Sequence, residues 1–124
     1  MKIYLAGPMS RYPKFNFPAF YKVAARLRAG GHTVFNPAEN DVQRYGEDFH
    51  AAALASVAGD PADLAKFGFS KRQVLEDDTQ WICRNAEAIA MLPGWKKKRS
   101  SRMEHALGMA LDLLVYEIPK DWLK

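Results

Sequence analysis

Two carboxylates stand out for the chemistry they could do, Glu104 and Asp78. Glu104 follows a short apolar run from Ala88 to Leu92, a Pro93-Gly94-Trp95 break and a basic loop from Lys96 to Ser101. The run reads as a buried strand, and Ser100 or Ser101 as the N-cap of a helix reaching about Leu111. Glu104 then falls in the first turn, where the helix's positive end favours an ionised carboxylate. An ionised, positioned carboxylate just beyond a strand's carboxyl end suits covalent attack on a sugar carbon. Ligands also collect there in open α/β sheets. The segment Ser101-Arg102-Met103-Glu104 equally fits an S-x-x-E capping box, in which the glutamate merely closes its own helix start.

Asp78 lies on a helix expected from Lys71 to about Ala86, with Ser70 as its cap. Its apolar stripe is Val74, Leu75, Trp81 and Ile82, and at helical spacing Asp78 and Asn85 share that stripe while Asp77 points outward. A carboxylate on a buried face is costly unless paired or used. Either Asp78 finds a backbone end or an arginine such as Arg72, or it has a function.

Other side chains offer weaker signals. Gly7 permits a tight turn or a close approach to a ligand, and Ser10 and Arg11 could hold a phosphate, although Gly7-Pro8-Met9-Ser10-Arg11 is neither a G-x-G-x-x-G loop nor a P-loop. Tyr12, Phe15, Phe17 and Phe20 could stack on a base or pin the loop to the core. The cluster Lys96, Lys97, Lys98, Arg99 and Arg102 suits an anionic ligand, phosphate or nucleic acid, or is simply a solvated loop. His50 and Asp48 lie close in sequence but lack metal-ligand spacing. The single cysteine, Cys83, excludes an internal disulfide and reads as a small core residue.

These groups need a scaffold. Lys2 to Ala6 reads as a strand, a helix runs from Ala19 with Phe20, Val23, Ala24 and Leu27 inward, Gly30-Gly31 ends it, and His32 to Phe35 is a second strand stopped by Asn36-Pro37. This is a βαβ unit with a right-handed crossover. Residues 38–70 are less readable, with helix expected from Ala51 to Val57, a break at Gly59-Asp60-Pro61 and another turn from Ala62 to Phe67. After the Glu104 helix, Leu113 to Tyr116 forms a further strand ended by Pro119. The alternation predicts an α/β fold: a parallel sheet of four to five strands with helices on both faces, a Rossmann- or flavodoxin-like three-layer arrangement.

The chain of 124 residues, with net charge +4, is expected to be a single domain spanning 1–124. No apolar run approaches a transmembrane span, the start from Met1 to Leu5 is too short for a signal-peptide core, and a cytoplasmic location is expected.

Four pieces together are more specific than any alone: Tyr4-Leu5-Ala6-Gly7-Pro8, Asn36-Pro37, the Asp78-x-x-x-Ile82 helix, and Leu92-Pro93-Gly94-Trp95 followed by Glu104. With these the chain resembles the nucleoside 2-deoxyribosyltransferase-like superfamily, and within it a small branch of unknown function frequent in phages and prophages, related to 2′-deoxynucleoside 5′-phosphate N-hydrolases. The resemblance covers nearly the whole chain except about residues 40–70. It implies that Glu104 is the nucleophile at the anomeric carbon, that Asp78 contacts the base and aids its protonation, and that Tyr4 orients the glutamate. It implies that Gly7, Pro8, Met9, Ser10 and Arg11 wrap the nucleoside, that Trp95 belongs to the same pocket, and that Ser100 and Ser101 sit where relatives bind phosphate. It further implies a homo-oligomer, a dimer or larger, with no metal and no cofactor. Two departures stand out. The relatives' Ser-x-Gly-Ala loop is replaced by Lys98, Ser100 and Ser101 in a basic segment, and Asp112 stands where a glycine C-cap is expected.

The chemistry is coherent with this resemblance. A glycosidic carbon needs an anionic partner on one face and a proton for the departing base on the other, and a buried acid with a pKa raised by desolvation supplies the proton. The expected activity is cleavage or exchange of the N-glycosidic bond of a deoxynucleoside or its 5′-monophosphate. The alternative is a non-catalytic protein that sequesters or senses such a nucleotide; nucleic-acid binding through Lys96 to Arg102 ranks last.

Overall fold

The computed structural model describes residues 1–124. Its elements in order are β1 (Lys2–Ala6), α1 (Phe17–Ala29), β2 (Thr33–Phe35), α2 (Pro37–Tyr45), α3 (Glu47–Ala55), α4 (Lys71–Asn85), β3 (Ala88–Met91), α5 (Arg99–Ala110) and β4 (Leu114–Glu117). Short 3-10 turns occupy Pro13–Asn16, Pro61–Phe67, Trp95–Lys97 and Lys120–Leu123. The four strands are all parallel in the order β2-β1-β3-β4. This is the layered α/β architecture that the element pattern predicts.

The inner strands are buried on both faces, which is why β1 and β3 read as nearly continuous apolar runs. On one face Ile3, Leu5, Ala88, Ala90 and Leu92 pack with Phe20, Val23 and Ala24 of α1 and Phe49 and Ala53 of α3. On the other, Tyr4, Ala6, Ile89 and Met91 pack with Ile82 of α4 and Leu107 of α5. The strand order explains this division. The β1-to-β2 crossover steps one way across the sheet, and the two later crossovers step the other way. With one handedness for all three, α1 must lie on the opposite face from α4 and α5. The reversal opens a crevice between the carboxyl ends of β1 and β3. A Cβ on Gly7 would sit 2.7 Å from the Leu92 Cβ, so glycine there allows the two strand exits to close on each other.

Several boundaries differ from the sequence reading. Helix α1 starts at Phe17, with Asn16 in a left-handed conformation at φ 61° and Pro18 in its first turn. Asn36-Pro37 does more than stop β2: the Asn36 side-chain oxygen accepts from the Ala38 N–H at 3.0 Å and Pro37 opens α2. Asparagine cap and proline at N1 form a helix start, which the strand-ending role concealed. Helix α3 begins at Glu47, earlier than the Ala51 expected. Strand β4 begins one residue later than expected. Cys83 is exposed, not a core residue, because it neighbours the buried Ile82 on the outward side of α4. Asp112 takes the left-handed conformation, φ 56°, at the helix-ending position where glycine is favoured. No helix is long and apolar enough to cross a membrane.

Candidate active site

The crevice holds a cleft of about 360 Å³, within the range of small-molecule sites. Glu104, Asp78 and Tyr4 all line it. Tyr4, fully buried in β1, donates its hydroxyl hydrogen to Glu104 Oε2 at 2.5 Å, a bond spanning 100 residues of chain. The phenol ring is held on its other sides by Phe35, with centroids 5.4 Å apart and planes 17° apart, and by Trp81 at 6.5 Å. Such packing leaves the hydroxyl little freedom of direction.

Two expectations about Glu104 need correction. Helix α5 begins at Arg99 with Lys98 as its cap, so Glu104 lies in the second turn and no acidic residue occupies the first. The helix terminus therefore acts on it weakly. The capping box is also not formed. The Ser101 hydroxyl donates to the Trp95 carbonyl at 2.6 Å, and the Glu104 carboxyl turns into the cleft towards Tyr4. Nor is Glu104 readily ionised at neutral pH. Burial, helped by the charge of Asp78 and opposed by the Tyr4 hydroxyl, pushes its pKa up to about 8. Tyr4 is in turn raised well above the ordinary phenol range, by burial first and then by Glu104 and Asp78.

Asp78 is 3% exposed, as its place on the apolar stripe of α4 implies. Arg72 is exposed on the same helix and makes no bond to it. Asp78 Oδ1 has no hydrogen-bond partner at all. Burial raises its pKa to about 7, against the Tyr4 hydroxyl and with a further push from Asp77. A carboxyl that still holds its proton much of the time near pH 7 and is buried beside a cleft is placed to give it up. Asp77 does not simply point outward: it accepts from Arg44 Nε and Nη2 at 2.8 Å each, from Asn40 and from Gln73.

The sequence reading assigned no chemistry to residues 40–70, yet Asp41 of α2 belongs to this cleft. It is 2% exposed, its Oδ1 has no partner, and burial, with Asp78 and Asp77 adding, raises its pKa to about 8. The signal was present. Once Asn36-Pro37 is read as a helix start, Ala38, Asp41, Val42 and Tyr45 form one stripe, and an aspartate on it invites the question asked of Asp78.

Of the remaining candidates, Gly7, Met9, Ser10 and Ser100 line the cleft, joined by Lys98 and Lys71. Phe15, Phe17 and Phe20 belong to the core and also line the cleft. The others do not face it. Pro8 is buried, with its carbonyl accepting from Asn16. Arg11 is exposed, 3.7 Å from Asp60. Ser101 is consumed by the Trp95 carbonyl. Trp95 stacks on His105 at 4.4 Å and donates to Glu117, walling a separate shallow groove. Lys96 and Lys97 are exposed there. No three His, Cys, Asp or Glu side chains are arranged to hold a metal ion.

Residues 1–117 match the model of a family described as a domain of unknown function, DUF4406, and the chain belongs to that family. No curated protein and no solved structure matches it.

Proposed function

We propose that the protein breaks or exchanges the N-glycosidic bond of a deoxynucleoside or, given Lys98 and Ser100 at the cleft, its 5′-monophosphate, in keeping with kinship to the nucleoside 2-deoxyribosyltransferase-like superfamily. What carries the reading is one observation: two acids and a phenol from distant parts of the chain converge in a single cleft at the sheet's switch point. In the first step an ionised Glu104 oxygen bonds to the anomeric carbon while the carbon–nitrogen bond breaks. The electron pair leaves with the base, and the Asp78 carboxyl protonates it. In the second, water or an incoming base attacks the same carbon, the glutamyl ester breaks, and Asp78, now a carboxylate, takes the attacker's proton. Two displacements retain the anomeric configuration. Tyr4 serves by donating to Glu104 and holding the carboxyl at one angle.

Incubation with deoxynucleoside monophosphates should release free base, and Glu104→Ala should abolish release with the melting temperature nearly unchanged. A large loss of stability without loss of activity would return Glu104 to a structural role. The competing reading, non-catalytic binding of the same ligand, is favoured by the burial of Glu104, which keeps its carboxyl largely protonated at neutral pH and a poor nucleophile. Tight binding without turnover, insensitive to Glu104→Gln, would select it.

A further inference from the structure

We propose that Asp41 reads the nucleobase, its carboxyl offering a hydrogen-bond donor beside an acceptor to a base edge that carries the complementary pair. This rests on the nucleotide reading of the cleft but not on the cleavage step. The argument begins with what Asp41 lacks. Its Oδ1 is buried in the cleft wall without a partner. The natural counter-ion one turn along α2, Arg44, is committed to Asp77 of α4 through two 2.8 Å bonds. A carboxyl needed only for folding would be paired, since an unpaired buried polar group is a net cost.

The surroundings set the protonation state. Asp78 and Asp77 approach from α4, Arg44 lies on the same helix, Tyr21 of α1 senses the Asp41 charge, and Glu104, Tyr4, Lys71 and Lys98 line the same cleft. Burial and the two α4 acids outweigh Arg44, so the carboxyl is largely protonated at neutral pH. A neutral carboxyl pairs an O–H with a C=O, which fits an amine beside a ring nitrogen or a lactam N–H beside its carbonyl. An ionised one offers only acceptors and would fit poorly.

The test uses Glu104→Gln protein, so that binding is read without turnover, with the four common deoxynucleoside monophosphates and 2-deoxyribose 5-phosphate as probes in calorimetry. Adding Asp41→Ala should weaken the tightest nucleotide about tenfold or more and leave the base-free sugar phosphate unchanged. Asp41→Asn keeps a donor–acceptor pair and should bind within a few-fold of the parent. Between pH 6.5 and pH 9 the parent should lose affinity relative to Asp41→Asn, because only the parent ionises at this position. If Asp41→Ala does not fold, that pH comparison decides alone. Equal effects on nucleotide and sugar phosphate, no effect on either, parallel pH profiles, or no nucleotide binding at all would overturn the proposal. Base release by the wild-type protein with Asp41-indifferent binding sinks only this inference. The Asp41 signature without base release sinks only the cleavage reading.

Discussion

Helices α2 and α4 meet twice, and the two meetings have opposite characters. Along their outer seam, Asn40, Arg44 and Gln73 surround Asp77 and satisfy it with four hydrogen bonds. Despite some desolvation, those bonds hold its carboxyl below the usual range. At the cleft, the immediate sequence neighbours Asp41 and Asp78 each bury an oxygen without a partner, and burial drives both carboxyls upward. Two aspartates one residue apart on α4, and an asparagine and an aspartate one residue apart on α2, are thus split between a closed ion-pair network and an open pair of acids. Nearness in sequence says little about role. The rotation of about 100° between successive helical residues separates the two environments. Where every bond is internal, the group belongs to the fold, and where bonds are left over, the site expects a ligand.

The widest separation between the two regions should appear in activity. On the proposed mechanism Glu104→Ala should reduce base release by about 10⁴-fold or more, as loss of a covalent nucleophile does, whereas Asp77→Ala, which acts on Asp78 only through its charge, should change the rate far less. Asp78→Asn should follow with a loss of about 10²- to 10⁴-fold, the usual worth of a general acid. Steady-state rates on one deoxynucleotide check all three, and a seam variant as damaging as a cleft variant would erase the contrast.

The rate should also describe a narrow bell against pH. On the proposed mechanism Glu104 must lose its proton and Asp78 must keep one, and their pKa values of about 8 and about 7 overlap in the wrong order, so only a small fraction of the protein is correctly protonated at any pH. Asp78→Asn should remove the alkaline limb of the residual rate.

In stability the two regions should move in opposite directions. Asp41 and Asp78 have folded pKa values above those of the unfolded chain, so the native state holds protons that the unfolded state releases, and stability falls as pH rises from about 4 towards 8. Asp41→Asn and Asp78→Asn should therefore raise the melting temperature at pH 8, by roughly 1–3 kcal/mol of stability each, and by less at pH 5. Asp77 is depressed, so its contribution is present above the unfolded value and is lost as pH falls below about 4; Asp77→Ala should lower the melting temperature at pH 7. Thermal melts at the two pH values test both signs. The smallest effect calibrates the scale: Asp112→Gly, far from either region, should stabilise by about 0.5–1 kcal/mol by relieving the left-handed strain at φ 56°.

The same contrast bears on what could be read from the residues alone. The sheet is legible because β1 and β3 are nearly continuous apolar runs followed by glycine and proline, and Asp78 because it interrupts an apolar stripe. Helix α2 was not, since Asn36-Pro37 ends a strand and starts a helix at once, and with α2 went both Asp41 and the partners of Asp77. Glu104's setting was misjudged for a different reason. Ser100 and Ser101 are better caps by residue type, while the helix is capped two or three residues earlier, at Lys98. Local signals rank possible caps, but the packing of the Trp95–Lys97 turn against α5 selects one.

The bond from Tyr4 to Glu104 has a kinetic corollary. Its partners lie 100 residues apart, and β1 cannot complete its pairing until β3 arrives from beyond helices α1 to α4. Loop closure of that span opposes early contact, so catalytic competence should emerge only at the final stage of folding. Emission from Trp81, packed on this phenol, should accordingly report the last refolding phase and the first global unfolding event.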